Sequence, residues 1–164
     1  MKGFTLIELL IVMLIISIVA GIAVLSISTN QHKQYEMLAN QLVNKIQLAE
    51  QEAMLREITI GLGLTSHTVQ FYVYQHNTKT GKHSWQAMAE PAFKLHQLPD
   101  NLHITLKVND EVAPADGHPR IVISPNMALT PFVILIGKKH ENPYYQIIGK
   151  ANGEVTREIF YAEK

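Results

Sequence analysis

Residues 3–27 read GFTLIELLIVMLIISIVAGIAVLSI, and Glu8 is the one ionisable side chain among them. From residue 9 to residue 27 there is no charge. As a helix rising about 1.5 Å per residue, that charge-free run spans roughly 29 Å, which matches a hydrocarbon core of about 30 Å. The chain is therefore expected to cross a membrane once.

A cleaved secretory signal fits this run poorly. Its apolar region would be about 7–15 residues long and end at a small-residue cleavage site. This run is longer, and Gly21-Ile22-Ala23 imitates such a site only weakly. Glu8 also stands at the head of the run, where a carboxylate in hydrocarbon costs a few kcal/mol on insertion scales. Thr5-x-x-Glu8 is a capping-box pattern, which by itself would only start a helix.

Together, Lys2-Gly3-Phe4-Thr5-Leu6-Ile7-Glu8 resembles the leader junction of type IV pilins and type II secretion pseudopilins. The resemblance implies that a prepilin peptidase cuts after Gly3 and methylates the new amino terminus on Phe4. It further implies that Glu8 meets the terminal amine of a neighbouring subunit as the helix enters a filament. In low dielectric such a carboxylate and ammonium attract more strongly than they do in water.

Lysine plus arginine equals aspartate plus glutamate at 14 each, so no net field draws the chain to nucleic acid. There is no cysteine, hence no disulfide and no thiolate metal site. Charge gives little orientation, since Lys2 precedes the apolar run while Lys33 and Lys45 follow it. A periplasmic carboxy-terminal domain is implied by the resemblance.

No proline occurs before Pro91 and no glycine lies between Gly21 and Gly61, so nothing stops the helix from continuing past the membrane run. Tyr35, Leu38, Leu42, Ile46, Ala49 and Ala53 form one apolar stripe, with Lys33, Glu36, Lys45, Glu50 and Glu52 off it. One helix is expected from about Thr5 to about Glu57, its second half packed on the chain's own sheet. In its first half Ser17 and Gly21 make a small-xxx-small pair that would admit another helix.

From residue 58 the pattern changes to alternation and turn punctuation, the signature of antiparallel strands. Ile58, Ile60, Leu62 and Leu64 alternate, and residues 69–74 run into a polar turn at 77–82 before Trp85. Further strands are expected at 102–108, 120–124, 132–136 and 144–149. Asn152-Gly153 should turn the chain into a last strand at 154–161, both residues tolerating positive φ. Residues 110–119, with two prolines and a glycine, read as an exposed loop.

The stretch at 121–132, IVISPNMALTPF, resembles the strand-turn-strand of the minor pseudopilin H group, and residues 147–155 resemble that group's final hairpin. Met127 stands near where the group has glycine, so Asn126 is expected to take the left-handed conformation.

Other constellations carry less. Seven of the eight histidines, His67, His76, His83, His96, His103, His118 and His140, scatter through strands and turns without helical i, i+4 pairing, so no metal site is expected. Asp110, Glu111 and Asp116 lack the dense oxygen spacing of a calcium loop. No nucleophile elbow, P-loop or dinucleotide fingerprint is present, so neither an enzyme nor a cofactor is expected.

The expected architecture is α+β and pilin-like: one long amino-terminal helix, membrane-spanning in its first half, packed on an antiparallel sheet domain. Its parts are a leader at 1–3, a transmembrane or filament-core helix at 4–29, an amphipathic continuation at 30–57 and a periplasmic sheet domain at 58–164. The resemblance implies a non-catalytic minor pseudopilin of the inner membrane and the periplasmic pseudopilus. Its implied partners are the major and minor pseudopilins, the prepilin peptidase and the inner-membrane assembly platform. A minor pilin of a type IV pilus shares the amino-terminal features, and a membrane-anchored periplasmic binding module or enzyme is the alternative of another class.

Overall fold

The computed structural model describes residues 6–65, 67–77, 81–94, 98 and 101–160, with the side chains of 22–32 excepted. Two compact units divide the chain, Met1–Gln34 and Tyr35–Lys164. Helix α1, Leu6–Arg56, contributes to both. In the first unit every described side chain from Leu6 to Gly21 is exposed, including Leu6, Ile7, Leu10 and Met13.

Without a glycine at its end, α1 stops on Glu57, which takes a left-handed φ of 53°. The amide of Ile58 then donates back to the Ala53 carbonyl at 3.1 Å, the longer bond of a Schellman cap. Both residues of this cap also pack, Ala53 in the core and Ile58 against it.

In the second unit the expected stripe is the buried face of the helix. Tyr35, Leu38, Leu42, Ile46, Ala49 and Ala53 are all buried, joined by Ala39. They share one core with Ile60, Leu62, Phe71, Ile104, Ile121, Ile134 and Ile147 from the strands. Near the start of the unit, Tyr35 stacks on Tyr144 with ring centres 5.5 Å apart.

The described residues form nine strands: β1 (Thr59–Thr65), β2 (Val69–Asn77), β3 (Lys82–Ala87), β4 (Leu102–Val108), β5 (Glu111–Val112), β6 (Asp116–Ile123), β7 (Phe132–Lys138), β8 (Tyr145–Gly149) and β9 (Val155–Ile159). They make two antiparallel sheets where one was expected, ordered β3-β2-β1-β6 and β5-β4-β7-β8-β9. The chain changes sheet after β3, where Pro91–Phe93 form one 3-10 turn, and changes again when β6 returns to β1. That return needs close approach, because a Cβ on Gly63 would fall 2.1 Å from the Gly117 carbonyl.

Three expectations are corrected. Residues 110–119 are not a plain loop. Asn109 and Asp110, both left-handed at φ 52° and 64°, turn β4 directly into β5, and β6 begins at Asp116. In the turn after β6 the left-handed residue is Met127, at φ 63°, not Asn126, whose side chain instead accepts the Ala128 amide at 3.3 Å. In the last hairpin only Gly153 is left-handed, at φ 86°, so the turn is a three-residue loop and not a two-residue Asn-Gly turn. The middle of the expected turn at 77–82 lies outside the described residues.

Candidate assembly site

Glu8 lies in the first turn of α1, exposed, and is its acidic first-turn residue. Its described neighbours along the helix are apolar and exposed: Leu6 at 77%, Ile7 at 66% and Leu9 at 57%. One carboxylate thus stands among exposed apolar side chains. Gly3 and Phe4, the expected cleavage and methylation positions, lie outside the described residues. Farther along, the Ser17 hydroxyl donates to the Met13 carbonyl at 2.8 Å, which satisfies it within the helix. Apart from its chain neighbours and the adjoining helix backbone, no described atom comes within 4 Å of where a Cβ on Gly21 would stand. Among the described residues no helix is long and apolar enough to cross a membrane. In the sequence the apolar run continues to Ile27, past the described side chains.

On the second unit, Arg157 of β9 reaches Glu36 of α1 at 3.1 Å while its guanidinium lies 5.2 Å from the Tyr145 ring centre. The helix is thereby tied to the last strand by an ion pair beside the packed stripe. Of the three acids at 110–116, Asp116 is engaged locally. Asp116 accepts from Arg120 at 2.7 Å and from the His118 amide at 3.0 Å, and the Arg120 bond foremost holds its carboxyl below the usual range. Among the described residues no three His, Asp or Glu side chains gather as a metal site. His76 and His83 face each other across β2 and β3 with rings 5.1 Å apart, and His96 lies outside the described residues.

The sequence missed Glu50, read there only as a residue off the apolar stripe. In the structure its Oε1 is buried without a hydrogen-bond partner, and burial pushes its carboxyl above the usual glutamate range. Its place one turn after Ile46 was the available signal, since a residue at that spacing sits at the edge of the buried face.

One amino-terminal helix leading into antiparallel sheets, with an apolar run marked by a single carboxylate, defines a pilin-like filament subunit. A profile described as the prokaryotic N-terminal methylation motif matches residues 1–24, and one described as type II transport protein GspH matches residues 38–153. The chain belongs to the type II transport protein GspH family, the minor H pseudopilins of type II secretion. Type II secretion system protein H of Dickeya chrysanthemi is 22% identical over 174 residues, covering 94% of this chain and 93% of that one. The protein of the same name from Pseudomonas aeruginosa is 32% identical over 111 residues, covering 67% and 60%. The structure of the minor pseudopilin EpsH from the type 2 secretion system of Vibrio cholerae superposes with a TM-score of 0.64 at 15% identity, covering 79% of this chain and 99% of that one. At that identity the likeness establishes the pilin-like α+β fold.

Proposed function

We propose that this subunit is held in the inner membrane by its apolar helix, with residues 58–164 in the periplasm, until it joins the pseudopilus near its tip and supports export of folded proteins across the outer membrane. The observation that carries this reading is that Glu8 is the one ionisable side chain of residues 3–27, beside exposed apolar side chains, in a chain that belongs to the H family. The peptidase removes residues 1–3 and methylates Phe4. Glu8 then pairs with the terminal amine of a neighbouring subunit as residues 4–29 enter the filament core, and residues 30–57 carry the sheet domain outside it. The energetic reason is that two opposite charges in low dielectric gain more from each other than from separate burial. The role is structural and non-catalytic, exercised through contacts with the major and minor pseudopilins and the inner-membrane assembly platform.

Deleting the gene in the native host tests this. The expected result is that folded export substrates accumulate in the periplasm while surface pili are unchanged. Normal export with loss of pili would instead make the chain a minor pilin.

A further inference from the structure

Glu50 sits at the edge of the buried face of α1, where two turns of the sheet domain come against it. These turns, Ser124 to Ala128 and Lys150 to Glu154, are built alike. In each, the first amide donates to the fifth carbonyl at 2.9 Å, and the fourth amide donates to the first carbonyl at 3.0 Å and 3.1 Å respectively. In each, an asparagine side chain, Asn126 or Asn152, accepts the fifth amide. None of these turn bonds goes to Glu50, whose Oε1 is buried and accepts no hydrogen bond among the described residues. The Gly153 amide is used on Lys150, and the Lys150 ammonium is held by Glu154 at 2.9 Å. The point a Cβ on Gly153 would occupy lies 3.6 Å from the Glu50 Oε1, an ordinary van der Waals distance, so the turn lies directly against the carboxylate.

A buried oxygen that accepts nothing is costly, and in a native fold its persistence points to a group that supplies the missing donor. The opening over Glu50 shows which kind. Gln47, Gln51, Met54 and Met127 surround it in a cleft of about 200 Å³, with Met54 48% and Met127 52% exposed. The cleft is smaller than the roughly 300–1,000 Å³ of small-molecule sites and suits one extended side chain. Two thioethers at the rim offer adaptable apolar contact to an alkyl stem, and the carboxylate below calls for a positively charged tip.

We propose that the cleft over Glu50 receives one lysine or arginine side chain of a different pseudopilin in the assembled filament, its stem between Met54 and Met127 and its charge on the Glu50 carboxylate. This rests on the chain's role as a pseudopilin and adds a contact on the sheet-domain side of the helix, separate from Glu8.

The test uses the full chain in cells that carry the complete secretion system, with a photo-crosslinking residue in place of Met127. Irradiation is expected to give an adduct with another pseudopilin, mapped by mass spectrometry to a peptide with a lysine or arginine within a few residues of the linkage. Glu50→Gln, which keeps the shape and removes the charge, should lower the yield at least fivefold. Reversing the partner's charge together with Glu50→Lys should restore it. An unchanged yield with Glu50→Gln, an adduct only to a second copy of this chain, or an adduct to a segment without a cation overturns the proposal. Recovery of the chain in the filament fraction without any adduct at Met127 overturns the cleft contact alone, whereas absence from that fraction overturns the pseudopilin role with it.

Discussion

The main-chain oxygen of Met127 lies 3.0 Å from the point a Cβ on Gly153 would occupy. The two residues hold the same place in twin turns, both left-handed, at φ 63° and 86°. Glycine adopts that conformation freely, and a side-chain-bearing residue does so at about 1–2 kcal/mol. Gly153→Ala adds both the backbone strain and the crowding, and should destabilise the chain by about 1–3 kcal/mol. Met127→Gly relieves strain and should stabilise by up to about 1 kcal/mol, less the entropy a new glycine adds to the unfolded chain. Denaturant unfolding of the detergent-solubilised full chain reads both, and the opposite signs are the check.

Glu50 gives a pH dependence of definite sign. Burial raises its folded value above the ordinary 4.5, so the folded chain holds the proton more tightly than the unfolded one. The cost is therefore absent at low pH and grows as pH rises through the window above that ordinary value. Asp116 and Glu154, whose carboxyls are lowered chiefly by bonds from Arg120 and Lys150, work the opposite way and lose their contribution as pH falls. The difference between wild type and Glu50→Gln isolates the first effect. The variant should melt on the order of a few degrees higher at pH 7.5. That advantage should shrink toward pH 4, and an advantage that grows on acidification would refute the assignment.

Packing should outweigh the ion pair in holding α1 to the strands. Ile46 is fully buried, and Ile46→Ala should cost about 2–5 kcal/mol through lost burial and the cavity left behind. The Arg157–Glu36 pair has partners 28% and 45% exposed, so its coupling in a double-mutant cycle should be no more than about 1 kcal/mol. Urea unfolding of the four variants and wild type gives the comparison directly.

The helix and its buried stripe were legible because an unbroken 3.6-residue period leaves one solution for where the apolar side chains go. Each expected strand has a counterpart among the described residues, either through alternation, as at 58–64, or through a short apolar run bounded by turn residues, as at 132–136. What the sequence concealed was non-local or specific to one turn. That β6 returns to β1 and splits the strands into two sheets depends on Gly63 meeting Gly117, two residues far apart in the chain. Met127 takes the left-handed place because it is the fourth residue of a turn bonded like that at Gly153, while Asn126, the third, accepts the Ala128 amide, a choice that residue preferences alone misassign. Likewise the burial of Glu50 comes from two turns arriving from distant sequence, so its charge pointed to solvent.

At the amino terminus, Glu8→Val should leave membrane insertion and leader removal intact but lower incorporation into the filament and export by at least tenfold. Co-purification with the major pseudopilin measures this. Full export by the variant would rule out pairing between Glu8 and a neighbouring amine. Gly3→Leu should instead leave the leader attached, visible as unprocessed chain in membranes.

The most direct test of the central claim is the mass of the amino-terminal peptide of the chain isolated from native membranes. The account predicts a peptide that has lost residues 1–3 and begins at Phe4 carrying one methyl group, about 14 Da heavier than the unmodified sequence. An intact amino terminus at Met1, or an end created near Ala23, would contradict processing and assembly as a pseudopilin.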